Sequence, residues 1–228
     1  MQYKVVIPAA GSGKRMGAGM NKLFLKIGHQ TIIEMTLSVF GRDKRCNEII
    51  LPINPDDRKL FESLPSIKEF KEKLTFVQGG AERQESVFNG VRAIDDKKSI
   101  VLVHDGARPF VTDKIISALL ENSKSSDGVI CAVPVKDTIK KIEQEVVAET
   151  IDRSTLWAVQ TPQAFTQEVL IESHTLAEEK GFFGTDDASL LEWQGKQIKV
   201  VMGDYFNIKV TTKEDLIFAE AILQGRHE

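Results

Sequence analysis

Short apolar runs alternate along this chain with segments whose apolar residues repeat at helical spacing, and that alternation leaves few folds open. The runs at 4–9, 48–53, 74–78, 100–104, 128–135, 198–202 and 207–210, most of them rich in Val and Ile, read as strands. Helices are expected over 31–40, 83–94, 113–122, 167–180, 187–194 and 212–223. The first opens on a capping box of Thr31 and Glu34, and Val87, Val91 and Ile94 carry the apolar stripe of the second. Gly181, Gly195 and Gly225 stand where the last three should stop. Strands joined through helices run mostly parallel, because each crossover brings the chain back to start in the same direction. The expected fold is therefore α/β: a doubly wound, mostly parallel sheet with helices on both faces, in a single domain spanning 1–228. Such sheets bind ligands at the carboxyl ends of their strands, so function belongs in the loops just after the apolar runs.

One segment breaks the pattern. Residues 137–153 (DTIKKIEQEVVAETIDR) form two charged, β-prone halves around positions 143–145, with too little apolar content for a core. They read as a protruding β-arm. A two-stranded hairpin is marginal in water by itself. Pairing with the same arm of a second subunit would satisfy it, so a homodimer through 137–153 is expected.

Composition narrows the function. Net charge is −3, so no overall basic field argues for nucleic acid, and any anionic ligand needs a local cluster of cations. The two cysteines, Cys46 and Cys131, lie in apolar stretches and read as buried, reduced thiols. The apolar start is too short for a signal peptide and is interrupted by Pro8. No run approaches the roughly 18 residues of a membrane span. The expectation is a cytoplasmic protein with neither membrane nor nucleic-acid partners.

Four loops carry candidate chemistry. The first strand ends in PAAGSGKRMG, where Gly11, Gly13 and Gly17 stand among Lys14, Arg15 and, shortly after, Lys22. Glycines let backbone N–H groups approach phosphate oxygens, and the cations neutralise a polyphosphate. The spacing fits neither the P-loop nor the dinucleotide fingerprint, and a tight turn with solvated lysines is the plainer alternative. In IVLVHDGARPF a strand delivers Asp105 to its carboxyl end, where a carboxylate can hold a divalent cation that bridges phosphates. A salt bridge to Arg108 is the alternative there, and His104 reads as structural rather than as a base. GGAERQESV places Gly79 and Gly80 between a strand and a helix, with Arg83 and Ser86 within reach. In NIKVTT, Lys209 sits among apolar neighbours, where an unpaired ammonium is costly. A phosphate or a carboxylate such as Asp105 must satisfy it. No Ser-His-Asp set, zinc-ligand spacing or nucleophilic cysteine context appears, as suits phosphoryl transfer, which needs cations and positioning more than a protein nucleophile.

The segments PAAGSGKRM, NKLFL, GGAERQESV, LVHDGARPF, PVKDTIK, IDRSTLWAVQTPQAF, GTDDASL and NIKVTT, in that order from Pro8 to Thr212, together resemble the 2-C-methyl-D-erythritol 4-phosphate cytidylyltransferase family. The resemblance implies a Rossmann-like nucleotidyltransferase fold. It also implies a reaction in which CTP and methylerythritol phosphate give the CDP-alcohol and pyrophosphate, with a divalent metal, Mg²⁺, as cofactor. By the family pattern Arg15, Lys22 and Lys209 act on the phosphates, and Ala9, Ala10, Gly11 and Gly13 wrap the nucleotide. Gly80, Arg83 and Ser86 lie near the cytidine, and Asp105, beside Gly106, serves the metal and nucleotide. Arg108, Thr138, Arg153, Thr161 and Thr185 belong to the methylerythritol phosphate side, with Thr138 and Arg153 reaching the partner's site from the arm. Ala81 departs from the family's frequent Asp, Gly106 from its Ala, and Asn21 from its Pro.

The nearest alternative is a ribitol 5-phosphate cytidylyltransferase, which the DTIK and IDRSTLW segments disfavour. A nicotinamide-dependent oxidoreductase lacks its acidic ribose ligand here. A non-catalytic nucleotide-binding module leaves Arg15, Lys22 and Asp105 without a purpose.

Overall fold

Val5 and Val6 are adjacent in the first strand and both fully buried, but they pack into different cores on opposite sides of one sheet. Leu102 and Val103 divide in the same way. A strand points successive side chains to opposite faces, so a continuous apolar run is what a sheet covered on both faces demands. The computed structural model describes residues 1–11 and 21–226. Their strands are β1 (Tyr3–Val6), β2 (Lys26–Ile27), β3 (Gln30–Thr31), β4 (Cys46–Ile53), β5 (Leu74–Gln78), β6 (Ile100–Val103), β7 (Gly128–Pro134), β8 (Ile139–Glu143), β9 (Val146–Ile151), β10 (Trp157–Thr166) and β11 (Ile198–Met202). The helices are α1 (Ile32–Arg42), α2 (Arg58–Ser63), α3 (Pro65–Glu69), α4 (Arg83–Arg92), α5 (Asp113–Asn122), α6 (Gln167–Lys180), α7 (Asp187–Glu192) and α8 (Lys213–Gly225).

The central sheet has seven strands in the order β11-β7-β10-β6-β1-β4-β5. All run parallel except β10, which is antiparallel to both neighbours. Ile33, Leu37 and Phe40 of α1, Ile115 and Leu119 of α5 and Ala219 of α8 line the core on one face. Val87 and Val91 of α4, Leu170 of α6 and Leu190 of α7 line the other. The chain winds from β1 outward through β4 and β5, then returns to place β6 on the other side of β1. That reversal between β1 and β6 is a topological switch point, and it opens a crevice at the strands' carboxyl ends.

Local signals set most boundaries. Thr31 and Glu34 form the capping box of α1, and Gly181 ends α6 at φ +63°. The hairpin β8–β9 turns at Gln144 and Glu145, both at positive φ, and forms its own two-stranded sheet with most of its residues exposed.

Two expectations are corrected and one strand is added. Residues 207–210 form no strand, because their carbonyls are taken by side chains (Asn207 O by Arg108, Val210 O by Lys22) and only Val210 N makes a sheet-like bond, to Ala107 O. Gly225 lies inside α8 rather than past its end. β10 was not foreseen as a strand, since its fully buried Gln163 and near-buried Gln160 hide the apolar pattern.

Candidate active site

The crevice at the switch point is a cleft of about 660 Å³. One wall is the backbone after β1: Ala9 N donates to Pro52 O at 2.8 Å, and Ala9 O accepts from Asn21 Nδ2 at 2.8 Å. Asn21, buried to 5% exposure, also caps the turn that presents Lys22. Lys22 Nζ donates to Val210 O at 3.0 Å. Ala9, Ala10, Gly11 and Lys22 all line the cleft. Gly13 and Arg15 lie outside the described residues.

The second wall is the loop between β5 and α4. A Cβ on Gly79 would stand 2.3 Å from Ala10 Cβ, so glycine there lets the two loops close on each other. Ser86 Oγ accepts from Gly80 N at 3.0 Å and donates to Glu82 O at 3.0 Å. The hydroxyl thereby shapes the loop from within. Glu85 Oε2 accepts from Ala81 N at 2.7 Å, so the position that departs from the family's Asp still has its backbone N–H satisfied.

Asp105 is the centre. It follows β6, is 8% exposed, and its own N–H donates to Thr161 Oγ1 at 2.9 Å. Arg83 Nε meets its Oδ1 at 3.0 Å, and Lys209 Nζ its Oδ2 at 2.7 Å, while Arg108 Nε stands 3.9 Å away. Burial alone would push this carboxyl up, but Arg83, Lys209 and Arg108 outweigh it and hold it well below the usual carboxylate range. Counting Asp187, which also holds Arg83, three cations against two carboxylates still leave a net positive charge, which is what a polyphosphate site needs.

The supports of this centre are polar and buried. His104 Nε2 faces the Arg108 carbonyl at 3.0 Å, which can only accept, so that nitrogen carries the proton. Nδ1 then accepts from the Thr161 hydroxyl at 3.2 Å. Burial pushes the His104 imidazole down to about 4, so it is neutral and structural. Arg108 Nη1 donates to Asn207 O at 2.7 Å and ties down the loop that carries Lys209. Gly106 O accepts from Thr36 Oγ1 at 2.9 Å, and a Cβ on Gly106 would press on Leu23 and Ile7 at 3.2 and 3.3 Å.

The fold thus brings Ala9, Ala10, Gly11, Lys22, Gly80, Arg83, Ser86, Asp105, Gly106 and Lys209 to one cleft. The substrate-side set is dispersed. Thr161 and Arg108 turn into the protein, the first beneath Asp105 and the second under the 207–210 loop. Thr185 is exposed just before α7. Thr138 and Arg153 are exposed at the base of the hairpin, where an Arg153 guanidinium nitrogen donates to Lys136 O. Sequence reasoning missed Asn21 as a loop support and missed Asp187, whose Oδ2 accepts from Arg83 Nη1 at 2.9 Å. The adjacent acids of GTDDASL were the available signal.

Known proteins agree with this architecture. The family model described as 2-C-methyl-D-erythritol 4-phosphate cytidylyltransferase (IspD) matches residues 3–225. The protein of that name from Bacillus cereus is 55% identical over 221 residues, 97% of each chain. Its counterpart from Bacillus velezensis is 54% identical over 226 residues, 99% of this chain and 97% of its own. Among solved structures, the 4-diphosphocytidyl-2C-methyl-D-erythritol synthase of Anaerococcus prevotii superposes with a TM-score of 0.87 at 34% identity, covering 98% of this chain and 96% of that one. The Thermus thermophilus cytidylyltransferase does so at 0.82 and 33%, covering 98% and 100%. With a nucleotidyltransferase fold, a cationic cleft at its switch point and matches along nearly its whole length, the chain belongs to the 2-C-methyl-D-erythritol 4-phosphate cytidylyltransferase family.

Proposed function

We infer that this chain transfers CMP from CTP to 2-C-methyl-D-erythritol 4-phosphate, releasing pyrophosphate, and that the cleft around Asp105 holds the nucleotide. The observation that carries this reading is the convergence of Lys22, Arg83 and Lys209 on one cleft at the carboxyl ends of β1 and β6. An oxygen of the substrate phosphate attacks the α-phosphorus of CTP. The bond from that phosphorus to the β-phosphate oxygen breaks, and pyrophosphate leaves. The attacking oxygen is already anionic at neutral pH, so no protein base is required. Lys22, with Arg15, offsets the charge that builds on the α-phosphate. Lys209 exchanges its carboxylate for a phosphate oxygen. The Gly80 loop, shaped by Ser86, holds the cytidine.

The residues fit a divalent cation of one kind. Among the described residues the cleft is lined by two carboxylates, Asp105 and Glu82, and by no His or Cys. That suits a hard cation such as Mg²⁺, which takes one or two carboxylates and fills its remaining positions with phosphate oxygens and water. When bound, it would neutralise phosphate charge and orient the leaving pyrophosphate.

The arm supports a homodimer. Ile142, Val146 and Val147 are 54%, 68% and 55% exposed, and a two-stranded hairpin is marginal in water by itself. In a two-fold dimer Thr138 and Arg153 would complete the partner's polyol phosphate site, with Thr185 contributed by the site's own chain.

The test is pyrophosphate release with CTP, ATP or GTP against methylerythritol phosphate or ribitol 5-phosphate, with and without Mg²⁺. CTP with methylerythritol phosphate and Mg²⁺ should be fastest, and chelation should stop turnover. Equal rates with ATP would remove the cytidylyl reading, and a preference for ribitol phosphate would replace the acceptor.

A further inference from the structure

Behind the cleft a second carboxylate grips the far side of Arg83. Asp187, the first residue of α7, is 1% exposed. Its Oδ2 accepts from Arg83 Nη1 at 2.9 Å, while Arg83 Nε reaches Asp105 Oδ1 at 3.0 Å. A buried carboxylate is costly without a cation, and Arg83 is the cation hydrogen-bonded to it among the described residues. His174 Nε2 lies 3.4 Å from Asp187 Oδ1 but without hydrogen-bond geometry, and its ring stacks on Phe88.

The helix that carries Asp187 is itself pinned. Gln163 Nε2 donates to Asp186 Oδ2 at 2.6 Å, and Gln163 Oε1 accepts from Ala188 N at 3.1 Å. Gln84 accepts from Gly184 N at 3.0 Å and donates to Phe182 O at 3.1 Å. Asp187 is therefore the fixed member of its pair, and the flexible Arg83 side chain takes its direction from it. The planar fork of arginine can meet two carboxylates through different nitrogens, which the single ammonium of lysine cannot do in that geometry.

We propose that Asp187 is a positioning residue for nucleotidyl transfer: it holds the Arg83 guanidinium at the cleft wall while the incoming nucleotide competes for Asp105. The proposal rests on the assignment of Arg83 to the nucleotide side.

The experiment measures kcat and KM by pyrophosphate release in the full chain for Asp187→Asn, Arg83→Ala, Arg83→Lys and the double variant Arg83→Ala/Asp187→Asn. Asp187→Asn should lower kcat/KM for CTP about tenfold or more, the scale seen when a metal ligand loses the outer partner that orients it. KM for the polyol phosphate should stay unchanged. Arg83→Lys, which keeps the charge but loses the bridge, should show the same CTP defect. The double variant should be no slower than Arg83→Ala, since Asp187 acts only through Arg83. It should also melt higher than Arg83→Ala, because the latter leaves a buried carboxylate without its guanidinium partner. Losses that add in the double variant, or a raised polyol phosphate KM in Asp187→Asn, would mean that the residue merely holds α7 together and would overturn the proposal. Should Asp187→Asn not fold, normal CTP kinetics in Arg83→Lys would overturn it equally. A wild-type chain that does not use CTP would instead sink the functional reading, and normal kinetics in Arg83→Ala would sink the role given to Arg83.

Discussion

The Lys209 ammonium and the Asp105 carboxylate, delivered by the 207–210 loop and by the end of β6, meet at 2.7 Å in the floor of the cleft. In the proposed reaction Lys209 leaves this carboxylate to meet a phosphate oxygen. Lys209→Ala should lower kcat/KM for CTP by about a hundredfold, the scale of losing one preorganised cation at a developing charge. The fold should survive, because Arg83 still pairs Asp105. Steady-state rates beside a thermal melt check this. A normal rate with a lowered melting temperature would confine Lys209 to a structural ion pair.

Lys22 reaches the cleft from a turn capped by Asn21, with its Nζ on the Val210 carbonyl. In the proposed mechanism it acts on charge that appears only during transfer, so it should matter more for kcat than for CTP binding. Lys22→Ala should reduce kcat by about a hundredfold or more while CTP affinity, measured by calorimetry, changes little. Arg15→Ala should behave alike. Unchanged kcat with a raised KM would assign these cations to ground-state binding.

The exposed hairpin allows a test by mixing. Lys22→Ala cripples the nucleotide site of its own chain, and Arg153→Ala, if the arm crosses over, cripples the partner's substrate site. In a mixed dimer one site then carries both lesions and the other neither. Co-refolded mixtures should regain activity that each parent lacks. If Arg153 serves its own chain, every site keeps one lesion and activity stays absent. A monomer in sedimentation at assay concentration would remove the premise.

At the opposite end of β1, Asp43 accepts from Tyr3 Oη at 2.9 Å and from Arg45 Nε at 3.0 Å. Burial pushes the Asp43 carboxyl up, yet the bonds from Arg45 and Tyr3 prevail and lower it. A carboxyl lowered on folding adds stability above its unfolded pKa, and that share is lost as pH falls through the folded value. Asp43→Asn should therefore cost about 2 kcal/mol at pH 7, the scale of a hydrogen bond to a charged group. The gap to wild type should close as urea titrations move below the unfolded Asp pKa of about 3.9. A gap that persists unchanged in acid would show that shape, not charge, matters there.

The α/β alternation, the capping box at Thr31, the hairpin turn near Gln144 and the glycine stop at Gly181 were legible in the sequence. Each depends on residues close along the chain, through side-chain periodicity, cap hydrogen bonds or a local φ. The cleft's backbone walls were legible too, since a doubly wound sheet sends its ligand loops to one edge. What lay beyond local reading was the partner of each buried polar group. Thr161 turns under Asp105, Arg108 under the Asn207 carbonyl, and Arg83 bridges Asp105 to Asp187. β10 escaped notice for the same reason: Gln160 and Gln163 look like surface residues until Asp204 and Asp186 are brought against them. Periodicity tells which positions leave water. Only the packed chain decides which donor meets which acceptor, because a buried polar group is satisfied through space by whatever the topology sets beside it.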